Sequence, residues 1–140
     1  MDKQDKELLL KDLSARLPYE VKLLYNSNSI ANIKDRVEIL RGIVVGYTIL
    51  FETDYIHSEY ESTSGSYEHF KPYLRPMSSM TEEEDKEWQL YKSRIAESCD
   101  ELLEKRIAEL HDWFCKKHLD FRGLIPMDLA LPAPEGMYNF

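Results

Sequence analysis

Three side chains near the end of the chain have the chemistry to hold a metal: His111, Cys115 and His118. Steps of four and three would place all three on one helical face. Imidazole and thiolate are good zinc ligands, and Asp112 or Asp120 could complete a set. Against a site, the spacing matches no zinc motif, and structural zinc sites draw ligands from two segments of chain. The plainer alternative is a cysteine at the core edge with two exposed histidines. A cysteine and a histidine four residues apart also raise nucleophilic catalysis. No glycine-rich loop or helix start surrounds Cys115, however, to supply a positive bias or an oxyanion site. A phosphate-binding glycine loop, a G-x-S-x-G elbow and an H-E-x-x-H pair are all missing from the sequence. The carboxylates at 82–85 fan out around a helix axis instead of converging on a cation. The expectation is no catalytic residue, no cofactor and no metal.

A second group could serve recognition. Nine tyrosines are present, several in the first half of the chain among basic residues. Tyr47, Lys71, Tyr73 and Arg75 would form a small basic and aromatic contact surface, as small barrels use to bind strands of nucleic acid or peptide. Tyrosines alternating along a strand are equally explained by β-propensity and packing.

The elements that must position these residues meet at FKPYLRPMSSMTEEE, residues 70–84. Pro72 and Pro76 lack backbone donors and push Lys71 and Arg75 out of helical space, so this stretch is extended and suits a sheet edge or a last strand. Thr81 and Glu84 then form a capping-box pair, and Glu82, Glu83 and Asp85 set negative charge at the helix start, near residue 82. Upstream, Leu9, Leu10, Leu13 and Leu17 recur at helical spacing before Pro18, which predicts a helix over 5–16 with Asp5 as its cap. Strands are expected at 21–25, 36–45, 47–53, 56–62 and 67–74, with turns at Asn26–Ser29 and Ser62–Ser66 and a turn or bulge at Gly46. These make a four- or five-stranded antiparallel sheet or partial barrel. From Glu82 onward helical spacing runs to residue 118. An unbroken helix there would be about 55 Å long, so a break is expected near 97–100, where Ser98 and Glu101 suggest a second capping box. The tail after Gly123 contains three prolines and is too apolar to float; it is expected as irregular chain packed along the helices.

Four stretches carry a resemblance: LLLKDLSARLPY (8–19), KPYLRPMSSMTEEE (71–84), DFRGLIPM (120–127) and LALPAPEGMY (129–138). The chain resembles a group of proteins encoded in prophage and mobile-element regions of gut anaerobic bacteria. The likeness covers the two ends and the joint, and the chain follows its own course over 22–68 and 88–110. It implies one co-folded unit and lends no catalytic residues.

With 43% hydrophobic and 31% charged residues in 140, the chain has the make-up of one globular unit. The reading is α+β: a helix and sheet lobe over 1–76, and a helical lobe with a packed tail over 77–140. A net charge of −8 argues against a protein that grips phosphates through clustered Lys and Arg, which leaves a local basic patch in the first half, and a small nucleic-acid-binding module using the tyrosine-rich sheet, as the alternative. The acid is uneven, since residues 76–140 carry 14 acids against 8 bases. Cys99 and Cys115 on one helical stretch would lie about 24 Å apart, too far for a disulfide, so reduced and buried thiols are expected. No apolar run is long enough to span a bilayer, and the leucines at the N-terminus are flanked by acids, unlike a signal peptide. A cytoplasmic, acidic interaction protein is the resulting expectation: it binds another protein, with nucleic acid unlikely, no membrane, and a dimer as one possible state.

Overall fold

The computed structural model describes residues 2–25, 36–44, 48–53, 64–66 and 70–138. The fold is α+β, as the sequence predicts: an N-terminal helix, a sheet, and two consecutive helices. The first helix, α1, spans Lys3–Arg16 and is capped by Asp2, whose carboxylate accepts from the Asp5 amide. Asp5 lies in the first turn instead of at the cap. A 3-10 turn at Leu17–Tyr19 follows, with Pro18 stopping the helix.

The sheet has strands β1 (Lys22–Tyr25), β2 (Arg36–Val44), β3 (Thr48–Thr53), β4 (Ser64–Ser66), β5 (Phe70–Leu74) and β6 (Leu131–Pro132) in the order β4-β3-β2-β1-β5-β6. Among the described strands every pairing is antiparallel except β5 with β6, which is parallel, and an isolated parallel bridge joins Arg75 to Leu119. Four longer strands are thus flanked by two short ones. The register shift falls between Leu40 and Gly42, where a strand can accommodate an extra residue. Gly46, the turn at Asn26–Ser29, and the strand expected at 56–62 lie outside the described residues. Ser64–Ser66, expected as a loop, pairs with β3.

Burial alternates along β5, with Phe70, Pro72 and Leu74 inward. Phe70 and Leu74 meet Leu9 and Leu13 of α1 in one core, which also holds Leu23, Leu40, Leu124 and Leu129. The tail therefore packs on the sheet and α1, and not along the helices as expected. Its LP pair extends the sheet, because β5 still has main-chain groups to pair beyond Pro72, at Tyr73 and Leu74.

A 3-10 turn at Met77–Ser79 leads to α2 (Glu82–Glu97) and α3 (Asp100–Lys116). The Thr81 and Glu84 capping box is formed in both directions. The break between the helices falls where expected but is made differently. Ser98 ends α2, and its hydroxyl donates back to Arg94 O. Cys99 is the N-cap of α3 and supplies no side-chain bond. No helix among the described residues is long and apolar enough to cross a membrane.

Candidate functional site

The three candidate metal ligands do not share a helical face. Helix α3 ends at Lys116, and His118 turns into the left-handed region at φ 57°, which swings its ring away from the line of His111 and Cys115. His118 stacks on Tyr138, with ring centroids 3.7 Å apart and planes within 9°. His111 lies against Phe121 at 5.0 Å. Cys115 is buried, and burial pushes its thiol above the usual range despite Arg16 nearby; such a thiol is poorly suited to attack. Cys99, expected to be buried, is exposed because the helix break puts it at the turn between α2 and α3. Among the described residues no three His, Cys, Asp or Glu side chains are grouped to hold a metal ion.

Lys71, Tyr73 and Arg75 do lie on one side of the chain, opposite the inward Phe70, Pro72 and Leu74. Their charges are answered within the molecule. Lys71 Nζ is 2.9 Å from the Asp128 carboxylate. Arg75 binds Glu84 through both terminal nitrogens, at 2.9 and 2.7 Å, and also donates to Ser79 O and Lys117 O. One guanidinium thus ties β5 to the start of α2 and the end of α3. Its hydrogen bonds to Glu84 hold that carboxyl at about 2, below the ordinary range and against the opposing effect of burial. Tyr47 lies outside the described residues.

A polar cluster that spacing did not single out sits beneath α3. Asp12 and Arg16, both fully buried, pair at 2.8 Å; Arg122 reaches Asp12 at 2.8 Å, and Arg16 donates to Leu119 O at 2.7 Å. The only trace in sequence is an i,i+4 acid and base on the leucine face of α1. Tyr19 donates to Asp112, and that bond raises the phenol to about 12.

The helical pair α2 and α3 exposes part of its apolar surface. Its buried residues all lie near the base: Glu84 on α2, and Leu110, Trp113, Phe114 and Cys115 on α3. Beyond them the helices form an arm in which Trp88, Tyr91, Ile95 and Leu103 are only half-buried. Leu102 is 43% exposed and Ile107 is 37% exposed. On one flank a cavity of about 230 Å³ opens between Tyr91, Arg94, Glu109, Asp112, Trp113 and Lys116. Its aromatic floor is fixed: Tyr91 and Trp113 stand 5.7 Å apart, and Trp113 Nε1 donates to Glu87 at 2.8 Å. The stretch is acidic, with eleven acids against seven bases over residues 82–117, Glu84 alone among the acids being buried. No family model matches this chain, and no curated protein or solved structure matches it either.

Proposed function

We propose that this is a non-enzymatic accessory protein of a mobile element that works by binding another protein, with the α2 and α3 arm as the contact surface. One observation carries this reading: an apolar seam that two helices leave partly open, with Leu102 and Ile107 exposed at its margins. Isolated exposed apolar residues are common, but these two stand on α3, whose Leu110, Trp113 and Phe114 form an aromatic cluster with Trp88, Tyr91 and Ile95 of α2. The mobile-element setting rests on the resemblance of the chain ends and joint, and a cytoplasmic location fits the sequence. The alternative, a nucleic-acid-binding module using the tyrosine-rich sheet, requires Lys71 and Arg75 to leave Asp128 and Glu84, so the arm is favoured.

The test is site-specific photo-crosslinking in cells that carry the element. A crosslinker at position 102 or 107 should capture one protein reproducibly, while the same group at the exposed Lys11 on α1 should not. Equal capture from both places, or none from the arm, overturns the proposal. Retardation of DNA or RNA at low salt, lost as salt rises, would favour the alternative.

A further inference from the structure

Residues 131–138 close over the sheet without entering the hydrophobic core, whose tail members, Leu124, Leu129 and Ala130, all precede them. Their anchors are few. Ala133 N donates to Leu74 O at 2.8 Å beyond the two-residue β6 ladder, Lys22 Nζ donates to Met137 O at 2.9 Å, and the Tyr138 hydroxyl stands between Lys22 and Tyr73. Pro132 and Pro134 bring no amide of their own. The chain turns at 134–137, where Met137 N donates to Pro134 O at 3.1 Å and Gly136 stands at φ 81°. The crest of this turn is exposed, with grooves of about 480 and 440 Å³ on its two sides. A terminal segment held in this way can lift while the core stays intact.

Under the tail lies a buried imidazole. His118 is 7% exposed, and the Tyr138 ring lies flat over one face of it. Cations reach this point from three elements. Arg16 of α1 donates to Leu119 O; Arg75, just past β5, donates to Lys117 O and, through its amide, to His118 O; Lys22 of β1 stands 5.8 Å from the centre of the Tyr138 ring. Lys117 precedes the histidine in the chain. The carboxylates on this side are already engaged: Asp12 by Arg16 and Arg122, Glu84 of α2 by Arg75, and Asp120 by the amides of Leu124 and Ile125. Tyr73 and Cys115, whose carbonyls accept from the Tyr138 hydroxyl and the His118 amide, have side chains that are neutral in acid. Burial, then Arg16, Arg75 and Lys22, hold the pKa of His118 at about 4. A proton there is costly while the tail is closed, and the cover with the fewest anchors is Tyr138.

We infer that the tail is a proton-released latch: a proton on His118 expels the Tyr138 ring, and residues 131–138 lift from β1 and β5 while the core stays closed. Water then reaches the imidazolium on the face that the phenol had covered, and the edge of β5 along Tyr73 and Leu74 is uncovered. Linkage makes the effect reciprocal, so that whatever loosens the tail must also strengthen proton binding at His118. The latch works independently of the α2 and α3 arm.

The test is a pH titration of the full chain by NMR, following the His118 ring together with backbone amides. Ala133 and Tyr138 report the tail, Lys22 reports the bond to the Tyr138 hydroxyl, and Leu13 reports the core. As the ring takes its proton, with a midpoint between 4 and 6.5, the tail amides should move to unfolded-chain positions and Lys22 should lose its bonded position. Leu13 should keep its native position throughout. His118→Asn, which tolerates the positive φ, should hold the tail amides in place over the same range. Tyr138→Ala should loosen the tail at neutral pH and raise the proton affinity of His118 about tenfold or more, with circular dichroism confirming that each variant is folded. A ring that titrates beneath a closed tail overturns the latch. Release in His118→Asn also overturns it, and assigns the switch to another group, such as the Asp128 that holds Lys71. Loss of the native Leu13 signal together with the tail would mean that the whole fold opens, and a His118 midpoint unmoved by Tyr138→Ala would deny the linkage; either result overturns the latch as well.

Discussion

At the scale of single residues, the molecule is governed by charges removed from water. Asp12 has no exposure and faces two arginines, one of them equally buried. Removing the carboxylate leaves Arg16 charged in the interior with only Leu119 O to receive it. Asp12→Ala should therefore cost about 3–5 kcal/mol, the usual result of stranding one member of a buried pair, seen as a lower urea midpoint. His118 shows the same physics through pH. Burial, followed by Arg16, Arg75 and Lys22, lowers its pKa from 6.5 to about 4. Between those values the unfolded chain binds a proton that the folded chain does not, so stability falls as pH drops from 6.5 towards 4 and levels off below. The full loss is up to about 3 kcal/mol. Glu84, with its carboxyl held at about 2, adds a separate loss as pH falls from 4.5 towards 2. His118→Asn keeps a residue tolerant of positive φ and should abolish the slope above pH 4.5 while leaving the lower one. A slope unchanged by the substitution would assign it to other groups. Neither role was legible in the sequence. His111, Cys115 and His118 would share a face only on an unbroken helix, and nothing local to Lys116 announces the left-handed turn that follows it.

Among the elements, those held by local chemistry were the most readable. Thr81 and Glu84 specify a helix start through two reciprocal bonds, and α2 begins at Glu82 as expected. Thr81→Ala removes the hydroxyl that accepts from the Glu84 amide and should cost about 1 kcal/mol. Its check is a shifted urea midpoint with an unchanged slope, since the change affects one cap and not the surface exposed on unfolding. The same spacing at Ser98 and Glu101 misled. Ser98 instead turns its hydroxyl back to Arg94 O and closes α2, leaving Cys99 to open α3. A capping pattern states which backbone bonds are available; whether the preceding helix takes that hydroxyl first is decided by the chain before it. The strand pattern was similarly legible in Arg36–Val44 and Thr48–Thr53, where β-branched residues crowd together. It was silent on Ser64–Ser66, whose small side chains give no strand signal and which pairs only because β3 offers an edge.

For the whole molecule, the order of the chain hides how its end is used. The tail was read as apolar and therefore packed, which holds for Leu124, Leu129 and Ala130. Its destination depended on a partner far away in sequence: the outer edge of β5, where Leu131 and Pro132 stand beside Tyr73 and Leu74. Local pattern carries no information on such a pairing. The closure is completed by Tyr138, whose hydroxyl donates to Tyr73 O at 2.6 Å and accepts from the Lys22 amide at 2.9 Å, while its ring covers His118. One phenol thus joins the tail to β5, to β1 and to the end of α3. Tyr138→Phe keeps the ring and its stack but leaves a part-buried donor, the Lys22 amide, and acceptor, the Tyr73 carbonyl, without their bridge. The cost should be about 1–3 kcal/mol, well beyond that of a surface hydroxyl. A fall in Tm with that magnitude, together with faster proteolysis within residues 131–138, would establish the tail as a clasp on the sheet. A fall in Tm without tail cleavage would instead place the loss in the β1 and β5 pairing, and an unchanged Tm would show that water replaces both bonds.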